Sequence, residues 1–470
     1  MASRPATRSA LPFLLTTSIG CAMALVDTNI VAIAVPAVTA HFGADAVAGQ
    51  WIVSAFFLCF AAALLPAGAM ADRLGRRRVF VWGLAGLAAA SLGSGLAPSP
   101  LWLHLCRGLQ GMMTAFVLAP ALALIGHRFH EPADRNRAWA IWGGVMGGTM
   151  VVAPLAGGVI VETLGWRWAF FVNGPVCAAL AGSAIAFADE SRGSLQRRLD
   201  PAGILCFATA MFGFTWGLIN GPAQGWASTM VLGGFAIGGL ALAAFVVAER
   251  VQAAPMLNLA LFREPSFIGA VWAMVIYAAT AQVMASLFPI VLQSGAGLSA
   301  TATGLAMLPF AVAMLVFPSL GARLGRHVAS PAILALGLLV VALGNALAAW
   351  AVSSGHWLAV FAGMFVIGSG AGLLNGETQK AIMMTIPRDQ TGMASGISTT
   401  ARFGGILIGF AGLNAIMAAV RPGSTAPGGA AAAGAAGHAN GFAAALLVAA
   451  IVAALSAWLV RRLMRQDRDR

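Results

Sequence analysis

The sequence predicts an all-α polytopic membrane protein: two six-helix bundles with pseudo-two-fold symmetry plus an inserted two-helix hairpin, fourteen transmembrane helices in total. Three observations carry this. Of the 470 residues, 60% are hydrophobic and only 9% charged, against roughly 25% charged in soluble domains. The apolar residues form runs long enough to span a bilayer, which takes about 20 residues. One basic turn occurs twice, 250 residues apart.

The runs are 11–36, 49–71, 79–98, 101–126, 138–161, 168–188, 201–220, 229–248, 266–292, 302–321, 331–353, 357–385, 392–419 and 440–462. The first follows Arg4 and Arg8 like a signal peptide, but it is too long for an h-region and contains Asp27, so it reads as a span. The abundant glycine (57 residues) suits close approach of membrane helices. Basic residues orient the chain. Of the 27 Lys and Arg, 22 lie at the termini and in alternate loops on one side, with Arg461 and Arg462 at the very end of the last run counted to the C-terminus. Only Arg167 and Arg421 fall in the opposite loops, and Arg107, Lys380 and Arg402 fall within spans. The positive-inside rule places both termini in the cytoplasm of a bacterial inner membrane.

Ala71-Asp72-Arg73-Leu74-Gly75-Arg76 follows the second run and Gly321-Ala322-Arg323-Leu324-Gly325-Arg326 follows the tenth, the second copy lacking the acid. A hairpin followed by the same turn, twice, divides the chain into bundles at 11–188 and 266–462, with 201–248 as the inserted hairpin. Internal repeats of this kind mark secondary transporters. Residues 422–440, rich in Pro, Gly and Ala, read as a flexible external loop.

Several function classes drop out. The net charge of +12 is dispersed in short clusters between spans, with no basic patch for nucleic acid to follow. The five cysteines sit in apolar runs without metal-ligand spacing. His127 and His130 flank Arg128 with no third ligand apparent, so a solvated loop is expected rather than a metal site. No phosphate loop and no His-Glu-x-x-His pattern occur, so neither a nucleotide-driven pump nor an enzyme is expected, and no cofactor.

The turn Gly68-Ala69-Met70-Ala71-Asp72-Arg73-Leu74-Gly75-Arg76-Arg77-Arg78 is the most informative stretch. Gly68 would permit close helix contact, and Gly75 can turn at positive φ without steric cost. Asp72 can pair with an arginine or approach a helix N-terminus, where the dipole favours an anion. Such a clasp can hold one conformation and open in another; its plainer role is a topological anchor. Farther on, Pro154 removes a helical donor, and Gly157 and Gly158 let a second helix pack closely. A hinge or plain tight packing both fit.

The turn resembles the signature loop of the major facilitator superfamily. Asp27-Thr28-Asn29-Ile30-Val31, closing at Pro36, resembles the first-helix motif of that superfamily's fourteen-span drug:proton antiporters. Arg107-Gly108-Leu109-Gln110-Gly111 is similar to the fourth-helix motif, and Ala153-Pro154-Leu155-Ala156-Gly157-Gly158 to the fifth-helix antiporter motif, with Ala153 where Gly is usual. Gly165-Trp166-Arg167-Trp168-Ala169-Phe170-Phe171-Val172-Asn173 resembles the opening of the sixth helix. The resemblance implies two bundles rocking about a central cavity, proton influx driving export.

Ionisable groups inside spans are rare and usually functional. At ~1.5 Å per residue, Asp27 and Arg107 share a depth and could meet in the cavity. Arginine stays protonated, so its role would be a fixed charge that tunes an acid. Parting the pair would make Asp27 take up a proton, because an unpaired buried carboxylate is costly to keep charged. Glu377 and Arg402, on consecutive antiparallel spans, also share a depth; Lys380, one turn from Glu377, competes for it. A static ion pair is the alternative in both places. Glu162, near an outer span end, reads as solvated.

These readings converge on a proton-coupled exporter of lipophilic, including cationic, drugs or metabolites, with Asp27, Arg107, Glu377 and Arg402 in coupling. Gly68, Asp72, Arg73, Gly75 and Arg76 would form the switch loop, and Pro154, Gly157 and Gly158 the hinge. The 20 Met and 26 Phe suit an adaptable cavity. The expected partners are a small molecule, protons and the lipid bilayer, with the protein a monomer. Related exporters sometimes join a periplasmic adaptor, and nothing in this sequence encodes such a contact. Competing readings are a carrier of one native metabolite, exporting or importing, and a membrane sensor that no longer transports.

Overall fold

The computed structural model describes residues 7–129, 131–192, 201–252, 259–386, 391–420 and 430–465. Its seventeen α-helices are α1 (Thr7–Phe42), α2 (Ala46–Leu74), α3 (Arg76–Gly95), α4 (Pro100–Arg128), α5 (Pro132–Leu164), α6 (Trp168–Phe171), α7 (Asn173–Phe187), α8 (Pro201–Gln224), α9 (Thr229–Val251), α10 (Pro265–Tyr277), α11 (Met284–Ser294), α12 (Ala300–Ala306), α13 (Leu308–Leu324), α14 (Ser330–Ser353), α15 (Trp357–Met384), α16 (Thr391–Ala419) and α17 (Ala430–Arg465).

Fourteen spans become seventeen helices because three spans are interrupted. The sixth breaks at Val172 between α6 and α7. The ninth passes from α10 through a π turn, Ala278–Gln282, into α11. The tenth breaks at Met307 between α12 and α13. A π turn leaves backbone groups without their usual partners, and in a membrane another helix must supply them. Asn345 does so here, its Nδ2 donating to the Thr280 carbonyl at 3.1 Å.

Thirteen helical stretches among the described residues are long and apolar enough to cross a membrane. The remaining expected span is α3, whose hydropathy is diluted by glycine, serine and the arginines at its start. It is nonetheless a continuous 20-residue helix packed against α4 and α7. Helix starts follow local rules. Asp45 accepts the N–H of Ala48 at 2.8 Å, and Ser99, Ser228 and Ser299 cap α4, α9 and α12 in the same way. Capping is needed because the first N–H groups of a helix have no internal partner.

Contacts among α1–α7 form one group and those among α10–α17 another. The α8–α9 hairpin packs on α2 and α16 at their edge. The groups meet through α1 with α11, α2 with α16, and α5 with α12 and α13. One expectation is corrected at the C-terminal end: residues 430–440 are the beginning of α17, not a loop. Alanine dominates that stretch and is the best helix former. The rest of the expected loop, with Arg421, lies outside the described residues, as do His130 and Pro387.

Candidate functional site

A cavity of about 730 Å³ lies between the two groups of helices. One wall comes from α1, α2, α4 and α5, including Thr28, Asn29, Phe57, Trp139, Trp142 and Met146. The other comes from the π turn, α11, α15 and α16, including Gln282, Ser286, Gln379, Met383, Arg402 and Phe403. Methionine and phenylalanine do line it, though most of its polar contacts are amides and hydroxyls. It reaches Asp72 and Arg76, at the end of the molecule that carries the arginine-rich turn.

At the opposite end the two groups close on each other. Gly158 faces α12 so tightly that a β-carbon there would stand 2.5 Å from the Ala300 carbonyl oxygen. Gly157 faces α1, where a β-carbon would stand 3.0 Å from Ile30 Cα. The Pro154 carbonyl abuts Gly304 of α12. The predicted hinge residues thus lie where α1, α5 and α12 touch. Two hydrogen bonds fasten this closure: Thr301 N donates to Glu162 Oε2 at 2.7 Å, and Gln293 Nε2 donates to the Ile33 carbonyl at 2.9 Å. Glu162, expected to be merely solvated, is exposed but caps α12 from across the interface. A capping carboxylate 139 residues away leaves no trace in local sequence.

Asp27 and Arg107 meet, at 2.5 Å between Oδ2 and Nη1, each 1% exposed. They do so inside the N-terminal bundle; neither lines the cavity. A buried pair survives only if its remaining polar atoms are also satisfied, and here most of them have partners. Arg107 Nε donates to the Ile52 carbonyl at 2.9 Å, and Nη1 also reaches Gln110 Oε1 at 3.1 Å. Asp27 Oδ1 accepts from Gln110 Nε2 and Asn173 Nδ2, both at 3.2 Å. Ser91 and Ser94 complete the network. The guanidinium also stands 4.6 Å over the Phe56 ring. Gln110 and Asn173 belong to the quoted motifs, but their partnership with Asp27 comes from packing. Thr28 and Asn29, adjacent to Asp27, do line the cavity, so α1 touches the network on one face and the cavity on the other.

The second expected pair is not formed. Glu377 Oε1 is held by Lys380 Nζ at 3.0 Å and by the Ser330 hydroxyl at 2.5 Å. Arg402 instead donates from Nη2 to the Asn375 carbonyl at 3.1 Å and stands 5.9 Å from the Tyr277 ring centroid. The two residues point to different neighbours: Arg402 lines the cavity and Glu377 does not. Rise per residue sets depth, whereas rotation about the helix axis sets the partner.

In the switch loop, Asp72 Oδ1 accepts from Arg76 Nε and Nη2 at 3.0 and 2.9 Å. Gly75 adopts φ +115, and a β-carbon there would also stand 2.7 Å from the Glu190 carboxylate. Glu190, which the sequence reading did not single out, accepts the backbone N–H groups of Arg77 at 3.0 Å and Arg78 at 3.2 Å. It occupies the start of α3, where the helix dipole favours an anion. Arg73 is exposed and has no ion pair among the described residues. Gly68 makes no tight helix contact: the nearest atom to a β-carbon there would be 3.9 Å away, and the residue faces the cavity. In the repeated turn, the Glu377–Lys380 pair packs beside Gly325, so a carboxylate distant in sequence accompanies both copies. No group of three metal-ligating side chains occurs among the described residues.

The family model of the Major Facilitator Superfamily matches residues 17–410. The chain is 33% identical over 413 residues to the multidrug resistance protein Stp of Mycobacterium tuberculosis, covering 88% of this chain and 76% of the relative. It is 32% identical to the tetracenomycin C resistance and export protein of Streptomyces glaucescens, with 87% and 76% covered. Among solved structures, a bacterial homolog of the human lysosomal transporter Spinster superposes with a TM-score of 0.72 at 17% identity, over 98% of this chain and 99% of that one. That last likeness concerns the fold.

Proposed function

The chain belongs to the major facilitator superfamily, and we propose that it exports lipophilic drugs or metabolites in exchange for protons by alternating access. The relatives are a multidrug resistance protein and a tetracenomycin C resistance and export protein, which supports export over import and over a silent sensor. The observation that carries the mechanism is the position of α1. Its Asp27 lies in a sealed network with Arg107, and the next two residues line the cavity.

In this reading, substrate enters the cavity from the end bearing Asp72 and Arg76, which the positive-inside rule assigns to the cytoplasm of a bacterial inner membrane. Rocking of bundle 11–188 against bundle 266–462, with hairpin 201–248 at their side, breaks the seal at Gly158 and Glu162 and opens the far end. Movement of α1 parts Asp27 from Arg107, and Asp27 takes a proton from outside rather than remain an unpaired buried charge. Closure returns the proton inward. The bonds across the far-end closure, Thr301 N to Glu162 and Gln293 to the Ile33 carbonyl, hold the present state. A proton crossing ~150 mV supplies a few kcal/mol, enough for a substrate gradient of roughly a hundredfold.

The test uses liposomes that contain the purified protein and a pH-sensitive dye, challenged with a broad panel of lipophilic compounds. Substrate-dependent proton movement in the wild type, absent in Asp27→Asn, is expected. Proton movement that survives in the variant removes Asp27 from the coupling path. No movement with any compound in the wild type turns the search to a single native metabolite.

A further inference from the structure

We infer that the cavity selects lipophilic anions, an aromatic body carrying a carboxylate, phenolate or sulfonate, with Arg402 taking the anionic group. This rests on the export reading above and names its substrate class. It narrows the expectation of lipophilic substrates, cations included, to anions.

The charges at the cavity wall carry the inference. Among the described residues, the charged side chains that line it are Asp72, Arg76 and Arg402. Asp72 and Arg76 neutralise each other at 2.9 Å near the mouth. Arg402 has no carboxylate within ion-pairing distance among the described residues. The two acids that could serve a cation are both withheld. Asp27 is 1% exposed and occupied by Arg107, Gln110 and Asn173. Glu377 is bound to Lys380 and Ser330, away from the cavity. Among the described residues, the cavity lining therefore carries one positive charge without a paired carboxylate.

Its surroundings define the rest of the ligand. Arginine remains protonated in proteins and offers five N–H donors in a planar fork suited to an oxyanion. One carbonyl, that of Asn375, and the face of Tyr277 account for only part of that capacity. The neighbouring wall is aromatic and apolar, with Phe57, Trp139, Trp142 and Phe403. Gln282 also lines it, and its buried Oε1, without a hydrogen-bond partner among the described residues, would accept a hydroxyl or N–H on the ligand's body and not its anionic group. Beside an apolar wall an unpaired cation attracts anions and repels cations more strongly than it would in bulk water. Export of an anion is also favoured by an inside-negative potential, by about fiftyfold in gradient per 100 mV for each charge.

The test compares an anthracene carboxylate with the matching aminomethylanthracene cation, so that ring size is constant and only charge differs. Equilibrium binding to the full-length protein in detergent is measured by fluorescence anisotropy, and flux is measured separately in liposomes. The wild type is expected to bind the carboxylate about tenfold more tightly or better, the value of one charge-assisted hydrogen-bonded contact. Arg402→Gln should remove that preference, and Arg402→Lys should restore part of it. Equal or tighter binding of the cation by the wild type overturns the inference. So does carboxylate binding that Arg402→Gln leaves unchanged. Should Arg402→Gln fail to fold, the wild-type preference still decides. Binding is read without transport, so Arg402-dependent anion binding with no flux sinks the export reading alone. Flux of many compounds irrespective of charge and of Arg402 sinks the anion inference alone.

Discussion

Glu190 accepts the backbone N–H of Arg77 at 3.0 Å, joining the end of the sixth span to the start of the third across 113 residues. The same carboxylate receives Arg78 N and lies beside the side chains of Arg77 and Arg78. Removing it as Glu190→Ala strips the cap from α3, a loss of about 1 kcal/mol for a typical cap. The melting temperature in detergent should fall, and Glu190→Gln, which keeps an acceptor, should fall less. An unchanged melting temperature in the alanine variant would mean that the loop is held by Asp72–Arg76 alone.

The Asp27 network makes a different prediction. Arg107→Ala leaves a buried carboxylate without its cation and should cost about 3–5 kcal/mol. Asp27→Asn combined with Arg107→Gln removes both charges and should be less damaging than Arg107→Ala. A double-mutant cycle on thermal stability reads this directly. Additive losses would show that the two side chains do not depend on each other.

Glu377 should couple to Lys380 and not to Arg402. A cycle of Glu377→Gln with Lys380→Met is expected to give a coupling of about 1 kcal/mol, reduced by the half-exposed position of the lysine. The cycle of Glu377→Gln with Arg402→Gln should give a coupling near zero. The reverse order would mean that the two helices rotate to bring Arg402 inward.

Gly158 is the closest point of the far-end seal. Gly158→Val places a side chain against the Ala300 carbonyl, which is backbone and cannot turn away. The seal should be held open, so that a cysteine at Thr301→Cys, in a background without the native cysteines, reacts with a polar maleimide several-fold faster. Equal labelling rates with and without Gly158→Val would remove this contact from the gate.

The motifs were legible where physics is local. Gly75 was expected at a turn and takes φ +115; Gly157 and Gly158 were expected at a close helix approach and are found at one. Gly68 shows the limit. Small size alone does not say whether a glycine faces a helix or an opening, and this one faces the cavity. Gln110 and Asn173 were visible as motif letters but not as ligands of Asp27, because hydrogen-bond partners on different helices have no fixed spacing in the chain.

By itself the sequence determined the number and order of the spans and the position of the basic turns. These follow from a bilayer of nearly constant thickness and a constant helical rise. Tertiary structure alone decided the partners. It sealed Asp27 with Arg107 inside one bundle, gave Glu377 to Lys380, brought Glu190 to α3 and left Arg402 at the cavity wall. Those outcomes depend on how each helix is rotated about its own axis. That rotation is set jointly by side-chain packing along the whole bundle, which no short stretch of sequence contains.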